Sequence, residues 1–481
     1  MPKNYKKNTK YAKIFKEAAE ARPKAEENIT KTPTKTHLLK FALPTILSML
    51  IMSTFGIVDG VFVSRWIGQG ALAAASLVFP FLGFIMAIGF MLGVGGNAMI
   101  AKKIGEGKEL EGRQNFSLLI LAGFVISVFI ALIGIFFPGF VLGVLGVSAE
   151  AREMALEYMM PLVYFLPVIV VGMMFQQFLI TAGKAHYSAI TALFGGFISA
   201  GLNFVFIYIL EMGLQGAALA TSIGYSLSAM VGLMFFAINR KGTLYFVIPK
   251  FDIKAIGKAS INGASEMVTM LSVSIVTVIM NNILMEIEGG GLMAVAAASV
   301  MFAGMGIFSA LFIGYSSGVA PITSYNFGKG DINNLKLSFK NNLLIIGGLS
   351  VVATGLAFLL VNPLISVYDI HPNIFMEEYG IYAYNPVHGM ARTGFLFIAS
   401  SFVLMAYNSF ATMFFTALNN GVISSLLSLF RTLIFPALAF TVLPLILGIN
   451  GAWAAMPTAE VLGIVLTIIF LKAMRRRYNY A

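Results

Sequence analysis

The sequence predicts an all-α membrane protein, with twelve transmembrane helices arranged as two six-helix parallel repeats. Three observations predict it. The chain holds twelve long apolar stretches. Its lysines and arginines fall almost wholly on one side of the connections between them. Its second half repeats landmarks of the first at a near-constant spacing.

Composition supports the first observation. Of 481 residues, 58% are hydrophobic and 11% charged, whereas a soluble domain carries about 25% charged residues. The mean hydropathy is +0.86, so water is not the main solvent. About 20 apolar residues cross the ~30 Å hydrocarbon core of a bilayer. Stretches long enough to do so cover 38–64, 72–100, 115–137, 155–182, 188–210, 214–238, 256–285, 292–325, 338–361, 384–418, 423–445 and 450–473. Several exceed 25 residues, which implies tilt or extension beyond the hydrocarbon.

These spans divide the chain. Residues 1–37 form a basic tail, in which Tyr11, Ile14, Phe15 and Ala18 fall at helical spacing. The tail is either an amphipathic surface helix or a disordered basic segment. It has no apolar core of its own and does not read as a signal peptide. Residues 38–240 form a first lobe, 241–254 a basic linker, 255–475 a second lobe and 476–481 a short tail.

Charge placement supports the second observation. Of the 32 Lys and Arg residues, 28 lie in the two tails and in alternate connections. Opposite connections hold Arg65 and Arg152, while Arg392 and Arg431 lie inside spans. Basic residues favour the cytoplasmic side, so both termini are expected there, as an even number of spans requires. The expected location is the plasma membrane, a prokaryotic inner membrane. The net charge of +11 is a topology signal, and no nucleic-acid partner is implied.

The third observation is an internal repeat. Ala73-Ala-Ala-Ser76 with Phe79 recurs as Ala296-Ala-Ala-Ser299 with Phe302, an offset of 223. The same offset carries Gly105 and Gly107 onto Gly328 and Gly330. Further on, Thr181-Ala182 recurs as Thr416-Ala417, and Gly216-Ala217 as Gly451-Ala452, at an offset of 235. A longer outer connection near 363–382 absorbs the difference. Six spans per unit is an even number, so both units enter from the same side. Repeats of this kind are the usual architecture of secondary transporters, with the site near the repeat interface.

Several functions lack their chemistry. There is no cysteine, hence no disulfide or thiolate metal site. The four histidines fall at or near segment ends or loops and form no metal cluster. Gly93-Val-Gly95-Gly96 lies inside a span with no preceding strand, which is not a dinucleotide fingerprint. No phosphate-binding Gly-Lys-Ser/Thr loop is present. No cofactor and no catalytic residues are expected, and a membrane-embedded enzyme would need a constellation the sequence lacks.

Polar residues inside spans are costly and by default mark function. Asp59 lies six residues before Arg65, roughly 9 Å along the helix, in the outer half of span 1. Asn203 lies at similar depth in span 5, so the two can meet. Pro44, fifteen residues below Asp59, removes a backbone bond and is a candidate hinge. Glu266 in span 7 and Arg431 in span 11 lie at similar depth and are expected to pair. Glu460 sits near the middle of span 12. Asn262, Asn281 and Asn282 either join a polar network or bond between helices. The 27 Met and 42 Phe residues suit an adaptable cavity, though lipid-facing surface accounts for them equally well.

The order of several motifs gives a family resemblance. Leu43-Pro44, then Ile57-Val58-Asp59, then Gly68 open the chain. Gln177-Phe178 with Gly183, Gly201-Leu202-Asn203, and Gly216-Ala217-Ala218 with Thr221 follow. The second half carries Glu266, Tyr325-Asn326 with Gly328, and Ala459-Glu460. In this order the chain resembles the multidrug and toxic compound extrusion (MATE) transporters along nearly its whole membrane part. The resemblance implies two six-helix lobes in a V and export of organic, often cationic, compounds against H⁺ or Na⁺. It adds Thr221 and Gln177 to the coupling-ion or substrate residues Asp59, Asn203, Asn262, Glu266, Arg431 and Glu460, with Na⁺ placed, if anywhere, at Glu266. The chain departs from the family at Ile207, where relatives often carry an acid, and in 292–325, which has none. The expectation is a monomeric ion-coupled antiporter for amphipathic compounds. The alternative is a flippase for lipid-linked glycans, which would need a strongly cationic cavity.

Overall fold

The structure, a computed structural model, describes residues 29–481 apart from 146, 148, 150, 241, 368–372 and 377–380. The tail residues on which an amphipathic helix was expected, 11–18, lie outside the described residues.

The described chain is helical nearly throughout. In order the membrane helices are α1 (Lys35–Ile67), α2 (Gln69–Gly105), α3 (Glu109–Phe136), α4 (Arg152–Thr181), α5 (Ala185–Ile209) and α6 (Gly213–Ile238). After the linker come α7 (Ile253–Glu286), α8 (Leu292–Lys329), α9 (Ile332–Ser366), α10, α11 (Gly421–Leu447) and α12 (Ile449–Tyr478). Helix α10 is two pieces, Pro386–Ser400 and Phe402–Ala417, bent by 52°. Among the described residues, eleven helices are long and apolar enough to cross a membrane, or twelve with α10 taken as one span. The long outer connection holds an antiparallel hairpin, β1 (Asn373–Met376) with β2 (Ile381–Tyr384), which alternation in the sequence did not announce.

Three helices open into a π turn: α1 at Val63–Ile67, α5 at Phe204–Ile209 and α11 at Phe430–Ile434. Such turns carry one extra residue and recur at functional sites. Each of these lies within four residues of Asp59 or directly beside Asn203, or contains Arg431. Pro44 does not break α1, which runs continuously through it. Ser48 Oγ donates to the Pro44 carbonyl at 3.0 Å.

Two apolar cores result. One joins α2, α3, α4 and α6; the other joins α8, α9, α10, α11 and α12. Helix α1 divides between them. Leu38, Phe41, Ala42 and Ile46, in its half near the termini, belong to the second core. Its far half packs on α5 and α6 of the first.

The lobes meet closely on the side of the termini, where glycines let backbones touch. Gly105 of α2 lies against the Tyr325 carbonyl of α8, and Gly328 of α8 lies against the Lys102 carbonyl of α2. The offset of 223 exchanges these two contacts, since it carries 105 onto 328 and 102 onto 325. Contact of i with j and of j with i is the signature of a twofold relation. The same offset carries Gly95, packed on Gly263 of α7, onto Gly318, packed on Ala42 of α1.

Candidate ion-coupling site

Asp59 occupies the first lobe as the centre of a converging set of donors. Asn203 Nδ2 donates to its Oδ1 at 2.7 Å. Thr221 Oγ1 donates to Oδ2 at 3.1 Å, and Ser199 Oγ to Oδ1 at 3.4 Å. Three helices, α1, α5 and α6, thus meet on one carboxyl group. Glycines make the approach feasible: a Cβ on Gly196 would overlap the Phe55 ring of α1. The carboxyl borders a cavity of about 40 Å³ that Gln176, Gly195, Tyr225 and Ser228 also line. A buried water needs roughly 10–15 Å³ by the same measure, so this space suits a few waters or an ion rather than a drug. Asn203 Oδ1 is buried without a partner, leaving an oxygen free beside the acid.

Asp59, Asn203 and Thr221 come together as the sequence suggested. Ser199 was not anticipated, although it lies four residues before Asn203 and therefore on the same helix face. Gln177 lies elsewhere. Its side chain packs on Gly93 of α2, and its carbonyl accepts from Asn97 Nδ2 at 3.4 Å. It is Gln176 that faces the cavity, donating to Ser228 Oγ at 2.7 Å. Neighbouring helix positions point about 100° apart, and spacing alone did not choose between the two glutamines.

The second lobe holds a different constellation. Glu460 on α12 accepts from Asn408 Nδ2 on α10 at 2.7 Å, and Asn408 Oδ1 accepts from Thr467 Oγ1 at 2.9 Å. Glu266 on α7 is 8% exposed. The expected Glu266–Arg431 ion pair is not formed within 4.0 Å among the described residues. Arg431 leaves the π turn of α11 toward α10, where Nη1 donates to Ser409 Oγ at 2.8 Å and to the Met405 carbonyl at 3.4 Å. Its Nε is buried without a partner. Equal depth brought the two helices into register but did not fix which neighbour the long side chain reaches. Asn408 and Ser409, which sequence reasoning missed, were legible only as polar residues inside an apolar run.

Asn262 sits at the seam between lobes. Its Nδ2 donates to the Thr416 carbonyl of its own lobe at 3.0 Å and to the Gly95 carbonyl of the other at 3.4 Å. Asn281 Oδ1 has no partner, and Asn282 is exposed. No group of three or more His, Cys, Asp or Glu side chains able to hold a metal occurs among the described residues.

Two parallel six-helix lobes with acids set inside their helices, Asp59 in the first and Glu266 and Glu460 in the second, have the architecture of a polytopic membrane transporter. A MatE family model matches residues 44–209 and 266–441, once in each lobe. The chain belongs to the MatE family. It is 24% identical over 290 residues to the multidrug export protein MepA of Staphylococcus haemolyticus, a match covering 60% of this chain and 64% of that one. Identity to MepA of Staphylococcus aureus (strain NCTC 8325 / PS 47) is 21% over 347 residues, covering 70% and 74%. A solved multidrug resistance MATE family transporter of the MOP superfamily, in an outward-facing conformation, shares the fold. Its TM-score is 0.86 at 19% identity, covering 96% of this chain and all of that one.

Proposed function

We propose that the protein is an antiporter that exports amphipathic organic compounds across the plasma membrane in exchange for H⁺ or Na⁺. The observation that carries the proposal is Asp59, held by three donors from two helices beside an ion-sized cavity. A carboxyl group in that setting exists either protonated or with a cation, and hydrocarbon makes a third choice costly. Asn203 Oδ1, Thr221 Oγ1 and Ser199 Oγ supply neutral oxygens that suit Na⁺ beside the carboxylate.

The coupling runs through α1. Its far half answers to Asp59, and its near half is packed on α8 of the other lobe at Gly314 and Gly318. Pro44 stands at that junction. Occupying or emptying the Asp59 site changes what holds the far half, and the near half carries the change to the lobe interface. Such a switch moves substrate only if the two α1 arrangements bind it differently. A cavity of about 370 Å³ between α1, α8 and α9, lined by Val58, Phe62, Trp66, Val300, Ile307 and Leu364, falls in the size range of organic-ligand sites. With the termini in the cytoplasm it lies on the outer side, opposite the closed seam.

The test is efflux from reconstituted vesicles under an imposed H⁺ or Na⁺ gradient, with wild type and Asp59→Asn side by side. Gradient-dependent efflux by wild type, lost in the variant, is expected. Transfer of a lipid-linked glycan between leaflets without any gradient would replace the proposal with the flippase reading.

A further inference from the structure

The first lobe carries a second cavity, which shares no lining residue with the Asp59 cavity. It is a groove of about 720 Å³ on the membrane-facing wall. Helix α4 is its floor, through Pro167, Val171 and Phe175; α3 and α6 are its walls, through Leu121 and Met230. Both walls pack on α4. The lining is almost wholly apolar. Leu121 and Met230 are more than half exposed, so the groove opens where lipid would stand. Its size lies within the range of ligand sites.

The groove is closed at its terminus-side end by the linker between lobes, which is fixed in place. Arg113 Nε donates to the Thr243 carbonyl and Nη1 to Tyr245 Oη, both at 3.0 Å. The guanidinium lies 4.4 Å from the Tyr245 ring centre. The Val247 amide donates to Ser117 Oγ at 3.1 Å. Phe246 packs on Phe116 with ring centres 5.2 Å apart. Phe246, Val247 and Pro249 thus form a built rim.

Just past that rim the linker changes character. Ile248, Phe251 and Ile253 are 90, 79 and 68% exposed, with Lys250 and Lys254 between and beside them. Apolar side chains turned outward among lysines fit the headgroup zone of a bilayer. Lys250 follows the rim directly, and Arg240 follows the end of α6. Both are exposed. Neither forms an ion pair within 4.0 Å among the described residues. Of the nearby acids, Glu109 pairs with Arg113 at 3.1 Å and Glu111 with Lys103 at 2.6 Å, and Asp252 caps α7, accepting from the Lys254 and Ala255 amides.

We propose that this groove binds one anionic phospholipid of the surrounding bilayer, an acyl chain lying between α3 and α6 and the headgroup in the basic zone that Lys250 and Arg240 supply at its terminus-side end. Basic residues at the membrane edge of an interhelical pocket recognise acidic headgroups, each contributing through proximity to the phosphate. The bound chain fills a space that side chains leave open. The lipid also touches the linker that joins the lobes, which gives the bilayer a contact with the segment between them.

The test uses the full purified chain, stripped of lipid by detergent exchange. Phosphatidylglycerol and phosphatidylcholine with identical acyl chains are then added, and retention per chain is counted by native mass spectrometry. One phosphatidylglycerol retained per chain, bound roughly 10- to 30-fold tighter than phosphatidylcholine, is the expected result for two basic groups near the surface. Lys250→Gln with Arg240→Gln should erase that preference and leave phosphatidylcholine binding unchanged. Ser226→Phe, which fills the groove, should abolish retention of both. Equal retention of both lipids by wild type would overturn the headgroup assignment. Undiminished retention in Ser226→Phe would overturn the groove. The surface double variant keeps the test informative should the filling variant fail to fold.

Discussion

Glu460 is a buried acid and Asp59 a half-buried one, and their partners differ. Asp59 has three donors beside a cavity, and Glu460 is bonded by one amide that is itself bonded to Thr467. Asp59→Asn resembles the protonated acid, so substrate binding should persist while gradient-driven efflux disappears. Equilibrium binding and pH-jump efflux on the same vesicles check this, and efflux that still follows the gradient at the wild-type rate would move coupling to another residue. Asn408→Ala removes the only side-chain donor that Glu460 has among the described residues. Leaving a buried acceptor unsatisfied costs about 1–3 kcal/mol, so the melting temperature in detergent should fall. Glu266 forms no ion pair within 4.0 Å among the described residues. Glu266→Gln should therefore change the melting temperature much less than Asn408→Ala, and a drop of equal size would restore the pairing with Arg431. The sequence showed Asp59, Asn203 and Glu460 because a polar residue in an apolar run is conspicuous. It could not show whether Gln176 or Gln177 faces the cavity, because that depends on helix rotation.

Helices were legible because hydrocarbon imposes length and apolarity on anything that spans it. What hydropathy does not encode is the interruption. The π turns at Val63–Ile67, Phe204–Ile209 and Phe430–Ile434, and the bend of α10, lie in stretches as apolar as any other. The seam between helices depends on glycines whose meaning appears only in three dimensions. A Cβ on Gly318 would stand 3.0 Å from Ala42 Cα, and a larger side chain must push α1 off α8. Gly318→Val should destabilise by about 1–3 kcal/mol, the usual cost of overpacking. Gly257, in α7, has open space around it, so Gly257→Ala should be neutral or stabilising by roughly 0.5–1 kcal/mol. Thermal melting of the two variants side by side checks the contrast. Equal effects would mean that the close approach of α1 and α8 is not tight.

The two lobes and their parallel relation could be read from the sequence, since a fixed offset joined landmarks on both. The reciprocal contacts 105 with 325 and 328 with 102 give that offset a physical form. The latch across the seam could not be read. Asn262 donates to the Gly95 carbonyl at 3.4 Å and Asn419 to the Ala98 carbonyl at 3.2 Å. Two side chains of one lobe therefore hold successive turns of α2 in the other. Removing both, as Asn262→Ala with Asn419→Ala, should favour opening on the side of the termini. The native chain has no cysteine, so a single cysteine placed in α2 facing the seam reports the change as faster maleimide labelling. Unchanged labelling would show that the glycine contacts alone keep the lobes shut.

Helix α1 is made well before the helix that completes the packing of its near half. Ala42 and Ile46 pack closely on Gly318 and Gly314, roughly 270 residues later. At about 5–20 residues per second that contact waits on the order of 10–50 s during synthesis. The near half of α1 is thus a guest of the first lobe until the eighth helix arrives, so the first lobe cannot complete its packing by itself.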